Sequence, residues 1–200
     1  MRKIFFFLLL ASFALSANAQ TGTKKRCAWG VRSGLNFSKL RVDEGVSADP
    51  LWKTGFAFGV FFKVKASENL AFQPEFQYSS LGGNFEPKEQ NPRFRLNYFS
   101  VPLLANIKAA KKVSFVVGPQ VDFLIQAKSR FNGYTVKSTG DFKDVSFGAT
   151  GGFEYWPLKM VGLSARYHHG LSKINDEESG SLRSTELQNQ AVQLSLALKF

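Results

Sequence analysis

Cysteine, histidine and long apolar runs are scarce in this 200-residue chain, and each scarcity removes a class of protein. One cysteine, Cys27, closes no internal disulfide, so it is a free thiol near the chain start or one half of an intermolecular bond. The only histidines, His168 and His169, are adjacent. On a strand they diverge to opposite faces, and Cys27 is remote from both, so a metal centre has poor support. Acidic residues are also few, 15 against 26 basic, which gives a formal charge of +11. A basic chain attracts nucleic acid, anionic lipid or acidic partners.

The one sustained apolar run, Ile4 to Leu15, is shorter than the ~20 residues of a membrane-spanning helix. Arg2 and Lys3 precede it and Ala17-Asn18-Ala19 follows it, the pattern of a secretion signal cleaved after Ala19. The expected organisation is therefore a signal peptide over residues 1–19, a short segment over 20–27 and one domain over 28–200. Export removes nucleic acid as a partner. Cys27 follows Lys24-Lys25-Arg26 rather than an apolar run, which argues against lipid attachment there.

What remains is rich in Phe and Gly and alternates with period two. A strand sends alternate side chains to opposite faces, so a lipid-exposed barrel strand alternates apolar with lumen-compatible residues. Eight segments do so: Trp29–Ser38, Lys53–Lys65, Leu70–Leu81, Phe94–Ile107, Val113–Gln126, Asp144–Trp156, Met160–Leu171 and the ending from Ala191 to Phe200. In the fifth, Val113, Phe115, Val117, Val121, Phe123 and Ile125 oppose Ser114, Gly118, Gln120, Asp122 and Gln126. In the second, Phe61 is a bulky residue on the polar face. Pro74 removes a ladder bond from the third. The fourth has Phe94, Leu96 and Tyr98 outward against Arg95 and Asn97, then turns apolar on both faces, which suggests a bulge near Pro102.

The links alternate in length. Ala66–Asn69, Ala109–Lys112 and Pro157–Lys159 are short, whereas Lys39–Trp52, Gly82–Arg93, Ala127–Lys143 and Ser172–Glu186 are long and polar. Outer-membrane barrels have short periplasmic turns, long extracellular loops and an even strand number. That topology gathers Trp29, Tyr155, Trp156 and Phe200 at the periplasmic rim and Trp52, Tyr78, Tyr98 and Tyr167 at the extracellular rim, two aromatic girdles. The predicted fold is all-β: a single antiparallel up-and-down transmembrane barrel of about eight strands. A soluble lipocalin-like lipid-binding barrel would also alternate, with its apolar face enclosed. The girdles, the loop asymmetry and the apolar ending at Phe200 favour the membrane form.

An eight-stranded interior is filled by side chains, which disfavours a wide pore. The enclosed face carries Arg32, Lys63, Glu75, Arg95, Asp122, Glu154 and Arg166, and enclosed charges need partners. We expect an ion-pair network there that holds the lumen together; a proton or small-ion path is the functional alternative.

These residues also resemble a known group, the PorT-like or "porin family" outer-membrane β-barrel proteins common in Bacteroidetes. The resemblance rests on Gly30-Val31-Arg32-Ser33-Gly34-Leu35-Asn36-Phe37-Ser38, on Leu96-Asn97-Tyr98-Phe99-Ser100-Val101-Pro102-Leu103-Leu104, on Arg166-Tyr167-His168-His169-Gly170-Leu171 and on the ending Leu194 to Phe200. It implies an integral outer-membrane barrel, and recognition of Phe200 by the barrel-assembly machinery during biogenesis.

Catalytic and ligand motifs are thin. His168 or His169 with Ser172 has the residue types of outer-membrane acyl hydrolases, in which an imidazole activates a hydroxyl, but not a matching spacing. Asp176-Glu177-Glu178 lacks the spaced oxygens of a calcium loop, and Gly148, Gly151 and Gly152 precede no helix that would make a phosphate loop. Asn36-Phe37-Ser38 is a chance sequon. Lys24-Lys25-Arg26 and Lys111-Lys112 fall on the periplasmic side, within reach of anionic headgroups. The reading is a non-enzymatic surface barrel without cofactor, in a structural, adhesion or assembly role. Its expected partners are outer-membrane lipid and lipopolysaccharide, the assembly machinery and an unidentified extracellular or periplasmic protein. A lipid-modifying hydrolase is the alternative.

Overall fold

The computed structural model of the chain describes residues 27–42, 50–85, 93–131, 134–137, 142–174 and 187–200. The expected signal over 1–19, nearly all of the 20–27 segment and the acidic run at 176–178 lie outside the described residues.

Ten strands follow one another: β1 (Cys27–Val42), β2 (Pro50–Leu51), β3 (Lys53–Lys65), β4 (Leu70–Phe85), β5 (Arg93–Lys108), β6 (Val113–Phe131), β7 (Tyr134–Lys137), β8 (Val145–Tyr155), β9 (Val161–Gly170) and β10 (Leu187–Lys199). Eight of them form a ring of antiparallel neighbours, in the order β1, β3, β4, β5, β6, β8, β9, β10. The ring closes where β1 meets β10, from Gly30 opposite Lys199 to Val42 opposite Leu187. The short β2 and β7 extend the wall beside β4 and β6 at the end away from the termini. The fold is thus a closed eight-stranded up-and-down barrel. Closure pairs every wall strand on both sides, the condition for backbone to cross hydrocarbon without orphaned N–H and C=O groups.

The three short links are tight turns. Ala66 and Ser67 donate to the Leu70 carbonyl and Ala109 and Ala110 to that of Val113, while Trp156, at the start of the third link, donates across to the Lys112 carbonyl of the second. They share the end that holds both termini, the periplasmic end by the loop-length rule.

The alternation resolves into an outside and an inside. Leu35, Phe58, Phe72, Phe115, Val117, Phe123, Phe153, Leu194 and Leu196 are exposed on the outer wall, while the residues between them are buried. This is the inverse of a lipocalin, whose apolar face is enclosed. Phe61 is fully buried in the lumen, where its ring fills the space left by the missing side chain of Gly30. At Pro74 the β3–β4 and β4–β5 ladders skip pairs without changing register.

Three expectations need correction. The irregularity expected near Pro102 lies instead between β5 and β6 at Asn97/Tyr98, where Ile125 is the extra residue on β6. The inward parity of β6 changes there from Asp122 and Leu124 to Ala127 and Ser129. Phe94, Leu96 and Tyr98 do not face outward: all three are buried inside, whereas Arg95 is exposed. Tyr98 therefore leaves the extracellular girdle. Trp156 sits at the periplasmic end but packs inward, over Gly162 and 6.2 Å from the Phe61 ring. Trp29, Tyr155 and Phe200 remain exposed at that end, and Trp52 and Tyr167 at the other.

A layered lumen as the candidate functional site

Because strand alternation points half of every wall strand inward, the lumen is built from small groups of residues contributed by different strands. At the periplasmic end lies an ionic layer. Arg32 on β1, Glu75 on β4, Glu154 on β8 and Arg166 on β9 meet with side chains at most 4% exposed. Arg166 grips Glu75 with both guanidinium nitrogens, Nη1 to Oε2 at 2.7 Å and Nη2 to Oε1 at 2.8 Å. Its Nη2 also donates to Glu154 Oε1 at 2.7 Å. Arg32 Nη2 donates to the same oxygen at 2.6 Å, and Nη1 donates to Ser164 Oγ at 3.0 Å.

Neutral amides complete the layer. Gln73 Nε2 donates to Glu75 Oε1 and Glu154 Oε1, and Asn106 Nδ2 donates to Gln73 Oε1 and Glu154 Oε2. Two cations and two anions balance, so the layer carries no net charge. Charge-assisted, partly bidentate bonds of this kind are what make enclosed ions tolerable. Below it, the Arg32 guanidinium stands 5.3 Å from the Phe61 ring centroid, and Trp156 Nε1 donates to Glu154 Oε2 at 3.3 Å. Phe61 and Trp156 form an aromatic floor under the charges.

The middle layer is polar with fewer charges. Gln120 Nε2 donates to Asp122 Oδ1 at 2.8 Å, and Thr150 Oγ1 donates to Gln120 Oε1 at 2.7 Å. His168 lies beside both, with Nδ1 3.2 Å from Thr150 Oγ1 and Nε2 3.4 Å from Asp122 Oδ2. A void of about 20 Å³ remains among Asn36, Gln77, Thr150, Arg166, His168 and Gln193. That is room for about one water molecule.

The extracellular end of the lumen is apolar. Leu40, Leu81, Phe94, Leu96, Tyr98, Ala127, Leu187 and Ala191 converge from five wall strands, and Phe142 and Ile174 join them from the connecting segments. Lys143 donates to the Ile174 carbonyl and Ile174 to that of Leu187, which ties those segments to the mouth. The Tyr98 hydroxyl accepts from Asn189 Nδ2 at 3.0 Å, so its one polar atom is satisfied inside the plug.

Of the seven charges expected in one network, the structure unites Arg32, Glu75, Glu154 and Arg166. Asp122 belongs to the middle layer with His168. Lys63 is half-buried at the periplasmic end without an ion pair among the described residues. Arg95 is a correction: it is exposed on the outer face of β5. Phe200 is exposed, its N–H donates to the Trp29 carbonyl, and its ring stands 4.7 Å from that of Trp29. Gln73, Asn106, Gln120, Thr150 and His168 were not counted among the members of the network; their signal was their inward register beside the charged positions. His168 and His169 diverge as expected. The Ser172 hydroxyl accepts from the Phe147 N–H at 2.8 Å, and neither imidazole is its partner.

A closed antiparallel ring with an apolar exterior and a filled polar interior defines an integral outer-membrane β-barrel protein. The comparison with protein families agrees: the profile of the outer membrane protein beta-barrel domain matches residues 18–176. The chain belongs to that family. Among solved structures it is similar to Neisserial surface protein A, with TM-score 0.58, 14% identity, and coverage of 86% of this chain and 99% of that one. It is also similar to Ail, the attachment invasion locus protein of Yersinia pestis, with TM-score 0.53, 15% identity, and coverage of 88% and 100%. A second Ail structure, in complex with the heparin analogue sucrose octasulfate, matches with TM-score 0.50 and 14% identity. At such identities the likeness is one of fold. No curated protein matches the sequence.

Proposed function

We propose that this chain is a non-enzymatic scaffold of the outer membrane, a closed barrel that holds its extracellular connections at the cell surface in a structural, adhesion or assembly role. The observation that carries this reading is the lumen. It is filled at three successive levels, by an aromatic floor with four paired charges, by a hydrogen-bonded polar layer and by an apolar plug. A barrel so filled has no passage for solute, and what it offers its surroundings is its outer wall and its loops. The similarity to Ail, the attachment invasion locus protein, supports the adhesion branch. The segments Gly30–Ser38, Leu96–Leu104, Arg166–Leu171 and Leu194–Phe200 support a PorT-like, Bacteroidetes-type membership within the broader family, with Phe200 as the assembly signal.

The test is electrical. Full-length protein refolded into planar bilayers is expected to leave the baseline conductance unchanged. Steady channels from the unaltered protein would overturn the scaffold reading.

A further inference from the structure

The inward register of three strands runs out to the periplasmic mouth of the barrel and ends there in lysine. Lys63 and Lys65 follow the buried Phe61 at two-residue steps on β3, Lys108 follows the buried Asn106 on β5, and Lys199 follows the buried Ala197 on β10. Every second side chain of a strand shares a face, so these ammonium groups stand over the lumen and not against lipid. The contacts of Lys199 fix the direction. Its Nζ is 4.4 Å from the Trp156 ring centroid, and that indole packs inward over Gly162 and donates to Glu154. Lys63 is opposite Ala28, and Lys199 is opposite Gly30, so the intervening β1 places no bulky side chain between the two. Lys63 is within electrostatic reach of Lys65, Lys199 and Arg32 as well as of Glu154.

The charge at this end is one-sided. Glu75 and Glu154 are held by Arg32 and Arg166, and Asp122 lies in the middle layer. Glu68 stands in the first short link, and neither it nor the carboxylate of Phe200 forms an ion pair with any of these lysines. The residues before Cys27 include no acidic one, and every remaining aspartate and glutamate falls in the stretches of sequence that join the extracellular ends of the strands. Ammonium groups gathered without counter-ions repel one another, and a ligand that brings the anion removes that cost.

Position and shape select the ligand. Inner-leaflet headgroups surround the outer wall, on the far side of the strands from these side chains, whereas a molecule arriving from the periplasm along the barrel axis meets them first. Trp156 and the fully buried Phe61 behind it stop its entry, which leaves a narrow, shallow mouth. A carboxylate on a short apolar stem suits an ammonium beside an indole face, with its oxygens on the lysines and its methylenes on the ring. The flexible four-carbon stems of lysine adjust to carboxylates whose spacing varies along a chain.

We propose that the periplasmic mouth is a docking site for an acidic, glutamate-bearing segment of a periplasmic protein, with one carboxylate settling between Lys63 and Lys199. The inference rests on the membrane orientation above and adds a partner on the side opposite the long loops.

The test uses full-length protein in nanodiscs of zwitterionic lipid, which leave both mouths open, and a fluorescein-labelled oligo-glutamate peptide read by anisotropy. At about fivefold per ion pair, Lys63→Gln/Lys199→Gln should bind about 25-fold more weakly. The same charge change on the turns of this end, Lys111→Gln/Lys159→Gln, should weaken binding less than about twofold, and Lys63→Arg/Lys199→Arg should keep it. Equal losses in the two glutamine variants, or no binding to the unaltered protein, would overturn the proposal. So would tighter binding of inorganic polyphosphate or of phosphatidylglycerol vesicles than of the peptide, which would make the mouth a phosphate site. Heat-modifiable gel migration reports the folding of each variant; should Lys199→Gln fail to refold, Lys63→Gln/Lys65→Gln carries the same expectation. Bilayer conductance tests the scaffold reading independently.

Discussion

The two ends of the lumen solve one problem by opposite chemistry. At the periplasmic end, four charges and two amides are joined by directed hydrogen bonds, and at the extracellular end ten apolar or nearly apolar side chains pack together, with the Tyr98 hydroxyl held by Asn189. The ionic layer is directional: each oxygen of Glu154 has named donors, so losing one member strands the others. The apolar plug is non-directional, and its loss scales with volume. A barrel built this way combines a geometrically specific base with a mouth filled by apolar packing.

The contrast can be broken at its strongest point by Glu154→Leu. One carboxylate would then face two buried guanidinium groups, and breaking a buried pair by removing one partner costs about 3–5 kcal/mol. Urea unfolding in detergent, read by tryptophan fluorescence and heat-modifiable migration, should show that loss, and full retention of stability would mean the layer tolerates an unpaired arginine. Next in size is Leu96→Ala in the plug, where burial is complete. The transfer and cavity terms together give about 2–4 kcal/mol, whereas Leu196→Ala on the lipid face leaves no internal cavity and should cost less. Equal costs at the two positions would place Leu96 outside a packed core. The smallest effect belongs to Arg95→Gln, which should leave stability unchanged within about 0.5 kcal/mol. A loss approaching that of Glu154→Leu would return Arg95 to the luminal network expected of it.

How far the sequence revealed this depended on the solvent each segment meets. Between the interfaces, hydrocarbon outside and crowding inside impose opposite demands on alternate residues, so β1, β3, β4 and the lower part of β6 could be assigned face by face. Above the interface that demand ends. Around Phe94, Leu96 and Tyr98 water lies outside and an apolar plug inside, so the same alternating pattern has the reverse meaning, and the rule that assigned Phe115 outward misassigned Phe94. The bulge at Ile125 carries no composition of its own, so it shows only once β6 is laid against β5. The four-charge layer was legible because enclosed charge must be compensated. Its neutral members, Gln73 and Asn106, look like any inward amide. Asp122 and Lys63 shared the inward parity of the network but sit at other heights, which depend on strand stagger and not on alternation.

The seam between β1 and β10 has a consequence for biogenesis. It joins positions from opposite ends of the chain, Gly30 with Lys199 and Leu35 with Leu194, so nothing can seal the ring until the final segment has emerged. A chain halted before Leu187 is not a seven-stranded version of the same object. It exposes raw ladder edges on both β1 and β9, each bare peptide group costing several kcal/mol in hydrocarbon, and such edges recruit other chains. A nonsense mutation just before Leu187 should therefore be as damaging as an early one, with insoluble aggregate as its product.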